Sequence, residues 1–190
     1  MLKDLTAALR PSLVMTALFA LLLGLAYPAA LTGVGQLLLP AQANGSLVVR
    51  DGRVVGSALI GQNFASPRYF QGRPSAAGDG YDASASSGSN LGPTAQALID
   101  RVREARPSLP AGTIPADSLT ASASGLDPHI SPAFALMQVA RVAAARALPQ
   151  PVVARLVAEH VEAPLLGFIG EPRVNVLRLN LALDAAAEAR

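Results

Sequence analysis

The sequence predicts an α+β fold: one N-terminal transmembrane helix followed by a single mixed α+β extracytoplasmic domain. Three observations predict it. Pro11 to Val49 is a run of 39 residues without Asp, Glu, Lys or Arg. Asp51-Gly52 then separates two apolar runs, the signature of a tight hairpin. Beyond residue 94, helical patterns punctuated by prolines surround one short strand pattern.

The first half of the uncharged run, Ser12 to Leu31, is a 20-residue apolar stretch. That length crosses the hydrocarbon core of a bilayer. Its nine Leu, Val and Phe residues contribute about −3 to −5 kcal/mol to insertion, with no charged residue to oppose them. Gly24 and Pro28 would weaken a soluble helix and are tolerated in a membrane one. Two other readings compete. One is a buried soluble helix, uncommon at an extreme N-terminus. The other is a cleaved signal peptide, for which Ala41-Gln42-Ala43 has the small-x-small pattern but lies far beyond Leu25. Lys3 and Arg10 precede the span, and no cation follows until Arg50. The positive-inside bias therefore predicts a cytoplasmic tail at 1–11, a spanning helix at 12–34 and an extracytoplasmic domain at 35–190.

Gly33 to Ala43 reads as an interfacial exit. Ser46 to Arg50 and Arg53 to Ile60 read as two strands joined by Asp51-Gly52, whose two residues suit positive φ. Gly61 to Pro93 has no period and holds only Arg68, Arg73, Asp79 and Asp82 as charges. A 33-residue connection of that kind is functional or disordered. Phe64, Tyr69, Phe70 and Tyr81 favour order, because their rings can be buried.

Thr94 to Arg106 reads as a helix with Ala97, Leu98, Val102 and Ala105 on its apolar side, ended by Pro107 and Pro110. Ser131-Pro132 is a helix start of N-cap plus N1-proline type. The helix from Ala133 to Leu148 offers Phe134, Met137, Val139, Ala140, Ala143 and Ala144 for packing. After Pro149 and Pro151 a second helix runs over Val152 to Val161. Arg173 to Val176 reads as a strand, and Leu177 to Ala189 as a closing helix with Leu179, Leu181 and Leu183 apolar. No internal repeat is visible.

Composition excludes several chemistries. The 190 residues contain no cysteine, so there is no disulfide frame, thiolate metal site or cysteine nucleophile. Lys3 is the one lysine, which removes P-loop and Schiff-base chemistry from the domain. A net charge of +2 with dispersed arginines gives no nucleic-acid footprint. His129 and His160 are the two histidines, too few for a metal cluster. His160 reads as a surface residue. Asp127-Pro128-His129 places an acid beside an imidazole, either as an acid–base pair or as a lock on the loop before Ser131. Gly88-Ser89-Asn90-Leu91-Gly92 reads as a turn and helix start, with an anion nest as the alternative. Gly170-Glu171-Pro172-Arg173-Val174-Asn175 reads as an internal salt bridge or an interface. These residues leave three functions open: an interaction subunit, a binding module, or a hydrolase using Asp127, His129 and a loop serine.

Several blocks carry a family resemblance. They are Gly56-Ser57-Ala58-Leu59-Ile60-Gly61-Gln62-Asn63-Phe64, Tyr69-Phe70 with Arg73-Pro74-Ser75-Ala76, and Gly88-Ser89-Asn90-Leu91-Gly92. Two more are Thr120-Ala121-Ser122-Ala123-Ser124-Gly125-Leu126-Asp127-Pro128-His129-Ile130-Ser131-Pro132 and Gly170-Glu171-Pro172-Arg173-Val174-Asn175-Val176-Leu177. In that order, with one N-terminal span, the chain resembles the C subunit of the Kdp potassium-transporting ATPase. The resemblance implies an accessory subunit of a high-affinity potassium importer in the bacterial inner membrane, without an active site of its own. Its implied partners are a channel-like potassium-binding subunit, a P-type ATPase subunit and a small single-span subunit. Its implied role is a catalytic chaperone that raises the ATP affinity of the ATPase subunit. ATP enters as a ligand through the resemblance alone.

The family's proposed nucleotide-contacting stretch is similar to the Leu-Ser-x-x-Gln signature of ABC ATPases. The matching residues here, Leu148-Pro149-Gln150-Pro151-Val152, lack that serine and that glutamine, so no cofactor site is assigned to them. Export of the domain also separates it from cytoplasmic ATP, so the implied effect on affinity is indirect. The alternative reading is an exported, membrane-anchored module that cradles a ligand in the 61–93 loop. The residues selected for subunit contact or loop fixing are Gln62, Asn63, Arg73, Ser75, Ser89, Asn90, Asp127, His129, Arg173 and Asn175.

Overall fold

A long apolar helix opens the chain in the computed structural model, which describes residues 2–110 and 112–188. Helix α1 (Leu2–Leu21) continues through a wide π turn at Leu22–Ala26 into α2 (Tyr27–Leu38). The cause lies at Pro28, which has no N–H for the carbonyl four residues back. Just before it the ladder loosens, and the Tyr27 N–H donates to the Leu22 carbonyl. The helix is therefore continuous across the proline. Its stretch Thr6–Leu38 is long and apolar enough to cross a membrane, and none of its most apolar window is buried. The segment Gly33 to Ala43, read as an interfacial exit, is largely helical. It runs in α2 to Leu38, breaks at Leu39, and resumes as the short α3 (Pro40–Ala43). Asn44 fixes that corner through its amide, which donates to the Gln36 side chain at 3.0 Å and to the Pro40 carbonyl at 2.7 Å.

The chain divides after Leu47 into this helical unit and a second compact unit from Val48 onward. The predicted hairpin, β1 (Leu47–Arg50) against β2 (Arg53–Ser57), starts at this division. Asp51 (φ 51°) and Gly52 (φ 74°) both hold the positive φ that the turn demands. The second strand stops at Ser57 and not at Ile60, because Ser57 starts a turn. Its hydroxyl accepts from the Leu59 N–H and its carbonyl from the Ile60 N–H.

Helix α4 (Gln96–Ala105) follows the long loop and buries no residue; Ala97, placed on its apolar side by the sequence, is exposed. Strand β3 (His129–Ile130) leads into α5 (Pro132–Arg146), then α6 (Gln150–Glu159), β4 (Val161–Glu162), β5 (Arg173–Asn175) and α7 (Val176–Glu188). The start of α5 is as predicted. The Ser131 hydroxyl accepts from the Phe134 N–H at 3.0 Å, and Pro132 follows the cap. Strands β3, β5 and β4 form an antiparallel sheet in that order, with His129 opposite Asn175, and Val161 and Ile130 flanking Val174. The fold is α+β.

The core joins α5, α6 and α7 to this sheet through Phe134, Val142, Val153, Val157, Val174, Leu179 and Leu183, and Phe70 enters it from the long loop. Two expectations for α5 fail: Ala140 and Ala144 face solvent, while Ala135 and Val142 are buried. In a helix so rich in alanine the apolar stripe has no sharp phase, so the sequence left its angle open. Val161 leaves α6 for β4, and Val176 leaves β5 for α7. Strands of two residues carry too little alternation to be read from sequence.

Candidate functional site

The 61–93 loop is ordered by side chains that grip its backbone. From α7, the Asn180 amide pairs both ways with Phe70, accepting from its N–H at 2.8 Å and donating to its carbonyl at 2.9 Å. From α5, Gln138 does the same to Gln71, at 2.8 and 3.0 Å. Arg141 donates to the carbonyls of Pro67 and Tyr69, and Arg146 to that of Arg68. Four side chains thus supply the partners that a neighbouring strand would give to residues 67–71. Arg146 also lies 4.6 Å from the centre of the Tyr69 ring and 2.7 Å from the Asp184 carboxylate, to which Arg50 and the Tyr69 hydroxyl also turn.

A second knot forms further along the loop. The Ser75 hydroxyl donates to the Gly125 carbonyl at 2.7 Å and accepts from the N–H groups of Tyr81 and Ala77. The Tyr81 hydroxyl donates to the Arg73 carbonyl at 2.7 Å. Burial, helped by the Asp127 charge and opposed by Arg73, pushes the Tyr81 pKa up to about 12. The Arg73 guanidinium sits 3.2 Å from Asp127. Asp127 in turn accepts from the His129 N–H at 3.0 Å and lies 3.6 Å from the ring. Burial raises the Asp127 carboxyl, but the His129 ring and N–H, together with Arg73, outweigh it and hold the pKa below the ordinary value. On its other side the His129 ring faces Glu162 at 3.9 Å, and Glu162 pairs with Arg173 at 3.0 Å.

Arg73, Asp127, His129 and Arg173 therefore meet around one open recess of about 640 Å³, which Asp117 and Glu171 also line. Asn63 and Ser75 lie instead along a neighbouring cleft of about 780 Å³, with Phe64, Phe134 and Met137 as its apolar wall. Arg73 borders both. Gln62 and Asn175 hold the end of the first hairpin, donating to the carbonyls of Val55 and Ala58. The buried Asn175 also caps α7 through the Arg178 N–H. Ser89 and Asn90 join none of these contacts; Asn90 holds a positive φ of 51°. Among the described residues no hydrogen bond links the His129 ring to a serine, and Ser75 spends its hydroxyl on backbone.

The sequence reading missed Gln138, Arg141, Arg146, Asn180 and Asp184. A signal was present: Gln138 falls four residues from both Phe134 and Val142, and Asn180 lies between Leu179 and Leu183. A polar side chain inside an apolar stripe must be paired when buried. Leu148 to Val152 also has a structural use. Leu148 is buried, Ala147 closes α5 with φ 53°, and Pro149 and Pro151 start α6.

A model of the K+-transporting ATPase C chain family, KdpC, matches residues 9–185. The chain belongs to this family. It is 63% identical over 183 residues to the potassium-transporting ATPase KdpC subunit of Gemmatimonas aurantiaca, covering 93% of this chain and 92% of that one. Identity to the subunit of the same name from Nitratidesulfovibrio vulgaris is 64% over 189 residues, 95% of each chain. For that of Caulobacter vibrioides it is 62% over 182 residues, covering 93% and 92%. Family membership and the helix Thr6–Leu38 together make this a single-pass, membrane-anchored subunit.

Proposed function

We propose that this chain is the non-catalytic accessory subunit of a high-affinity, ATP-driven potassium importer, required for its assembly. The observation that carries this reading is the family match over 9–185 on a chain with one spanning helix. Lys3 and Arg10 in the first turns of the helix, ahead of its uncharged stretch, against no cation until Arg50, support a cytoplasmic N-terminus and a periplasmic domain. The partners are the channel-like potassium-binding subunit, the P-type ATPase subunit and the small single-span subunit of the same complex.

The chain raises the ATP affinity of the ATPase subunit as a catalytic chaperone, and does so indirectly. Support comes from Leu148 to Val152, which turns one helix into the next and offers no serine there. An indirect effect requires that the chain bind two pump conformations unequally. The recess edged by Arg73, Asp127, His129 and Arg173 is the proposed contact, since its charges are exposed in part and held in place by one another. The test is to delete this chain and supply it back. Without it, growth at micromolar potassium is lost and the remaining ATPase needs more ATP for half-maximal turnover; a complex that assembles and transports normally without it refutes the reading.

The cleft of about 780 Å³ favours a second reading, a ligand-binding module built on the 61–93 loop. Calorimetry of the full chain in micelles separates the two: heat on adding nucleotide or potassium supports the module, and silence supports the accessory role.

A further inference from the structure

Between β4 and β5 the chain presents a small apolar hairpin. Residues 163–170 read Ala-Pro-Leu-Leu-Gly-Phe-Ile-Gly, without a charge. Leu165 and Ile169 exchange two backbone hydrogen bonds of 2.9 Å, so the tip is closed and ordered by its own main chain. Its side chains point away from the domain: Leu165 is 68% exposed, Leu166 76%, Phe168 77% and Ile169 50%. This is an exposed cluster of large apolar residues, of the kind that marks a protein contact.

Leu166 sharpens the point. It holds φ 54° and Gly167 holds φ 82°. Turn chemistry favours Asn or Gly at such a position, and a leucine there is strained. Nothing within this domain offsets that strain by burying the side chain. A leucine kept in an unfavourable conformation, in water, is explained by a contact outside the chain.

The charges at the neck of the hairpin decide what kind of contact. Glu162 pairs with Arg173 at 3.0 Å and with Arg178 at 3.6 Å, and Glu171 adds another acid. The neck has no cationic excess, so it lacks the basic residues that draw an amphipathic element to an anionic bilayer surface. A second copy of this chain would have to be held by this tip alone, and four side chains fall well short of the roughly 800 Å² per partner of a standard interface, whereas within the proposed complex the tip adds to contacts made elsewhere on the chain. A convex, uncharged tip is matched by a concave, uncharged protein surface.

We propose that the Leu165–Ile169 hairpin is a plug that seats in an apolar socket on another subunit of the pump. The inference rests on the accessory-subunit reading and adds to it the surface and the chemistry of the contact. Leu166 and Phe168 form the tip, and the socket is lined by aliphatic or aromatic side chains.

The test uses the full chain, tagged and co-expressed with the other pump subunits, in membranes. With a benzophenone side chain in place of Phe168, illumination is expected to join the chain to a different pump subunit. Adducts only with lipid, only with a second copy of this chain, or with nothing while the complex still co-purifies, each overturn the plug. The paired variant Leu166→Asn, Phe168→Ser is expected to lower recovery of the other subunits at least tenfold in detergent, at low and high salt alike, while its own melting temperature holds. Undiminished recovery overturns the plug and leaves the accessory reading standing. If the unmodified chain recovers no other subunit either, the accessory reading fails as well.

Discussion

Residues 67–71 and residues 165–169 are both short, irregular and fixed in place, by opposite means. The first segment makes no ladder of its own and is held by Gln138, Arg141, Arg146 and Asn180 from two helices. It carries Phe70, fully buried, into the core. The second holds itself through backbone pairing and sends its apolar side chains outward. The contrast teaches that order in a loop says nothing by itself about use. What matters is where its apolar atoms go and which partners satisfy its main chain.

The comparison breaks most readily at Asn180. Its amide is 2% exposed and is the sole partner of both main-chain groups of Phe70 among the described hydrogen bonds. In Asn180→Ala, a buried N–H and a buried carbonyl lose their partners together. The expected loss is about 2–4 kcal/mol, from about 1–3 kcal/mol for each unsatisfied group with partial relaxation. Chemical denaturation of the full chain in micelles measures it. A loss below about 1 kcal/mol would mean that the Phe70 ring, and not the amide, fixes the segment.

This division also explains what was legible in the sequence. The apolar helix, the Asp51-Gly52 turn and the Ser131-Pro132 cap are local signals; the turn and the cap stand where they were read, and the helix covers the predicted stretch while extending past it at both ends, over Thr6–Leu38. The sheet was not legible beyond β5, because β3 and β4 have two residues each and acquire strand geometry only by pairing with β5. Of the candidate residues, Arg73, Asp127, His129 and Arg173 do come together, although 100 residues separate the first from the last. Ser89 and Asn90 stand apart from that recess and from the neighbouring cleft, and Asn90 holds a positive φ of 51° there. For the gripping side chains Gln138 and Asn180 the pattern signals only that a buried polar group must be paired; which main-chain groups of residues 70 and 71 they take leaves no trace in it.

A smaller effect sharpens the comparison at the loop's second knot. Asp127 has a pKa below its ordinary value of 3.8 in the folded chain. As pH falls, the unfolded chain takes up this proton first, so the contribution to stability is full above about pH 4 and is lost as pH drops through the lower folded value. Asp127→Asn removes that dependence. The variant is expected to be less stable than the parent at neutral pH, with the gap closing below about pH 4. Denaturation curves from pH 7 to 3 check it, and a gap that stays constant over this range would show that Asp127 acts through shape and not charge.

The smallest expected effect has the opposite sign and belongs to the self-held hairpin. Replacing the left-handed Leu166 by Asn relieves backbone strain and removes little burial, since the residue is 76% exposed. Leu166→Asn should therefore leave the isolated chain as stable as before or stabilise it by about 0.5–1 kcal/mol. A substitution that steadies the chain alone while weakening its hold on other subunits separates a docking residue from a structural one. Destabilisation by more than about 1 kcal/mol would instead place Leu166 among the residues that hold this domain together, beside Phe70 and Asn180.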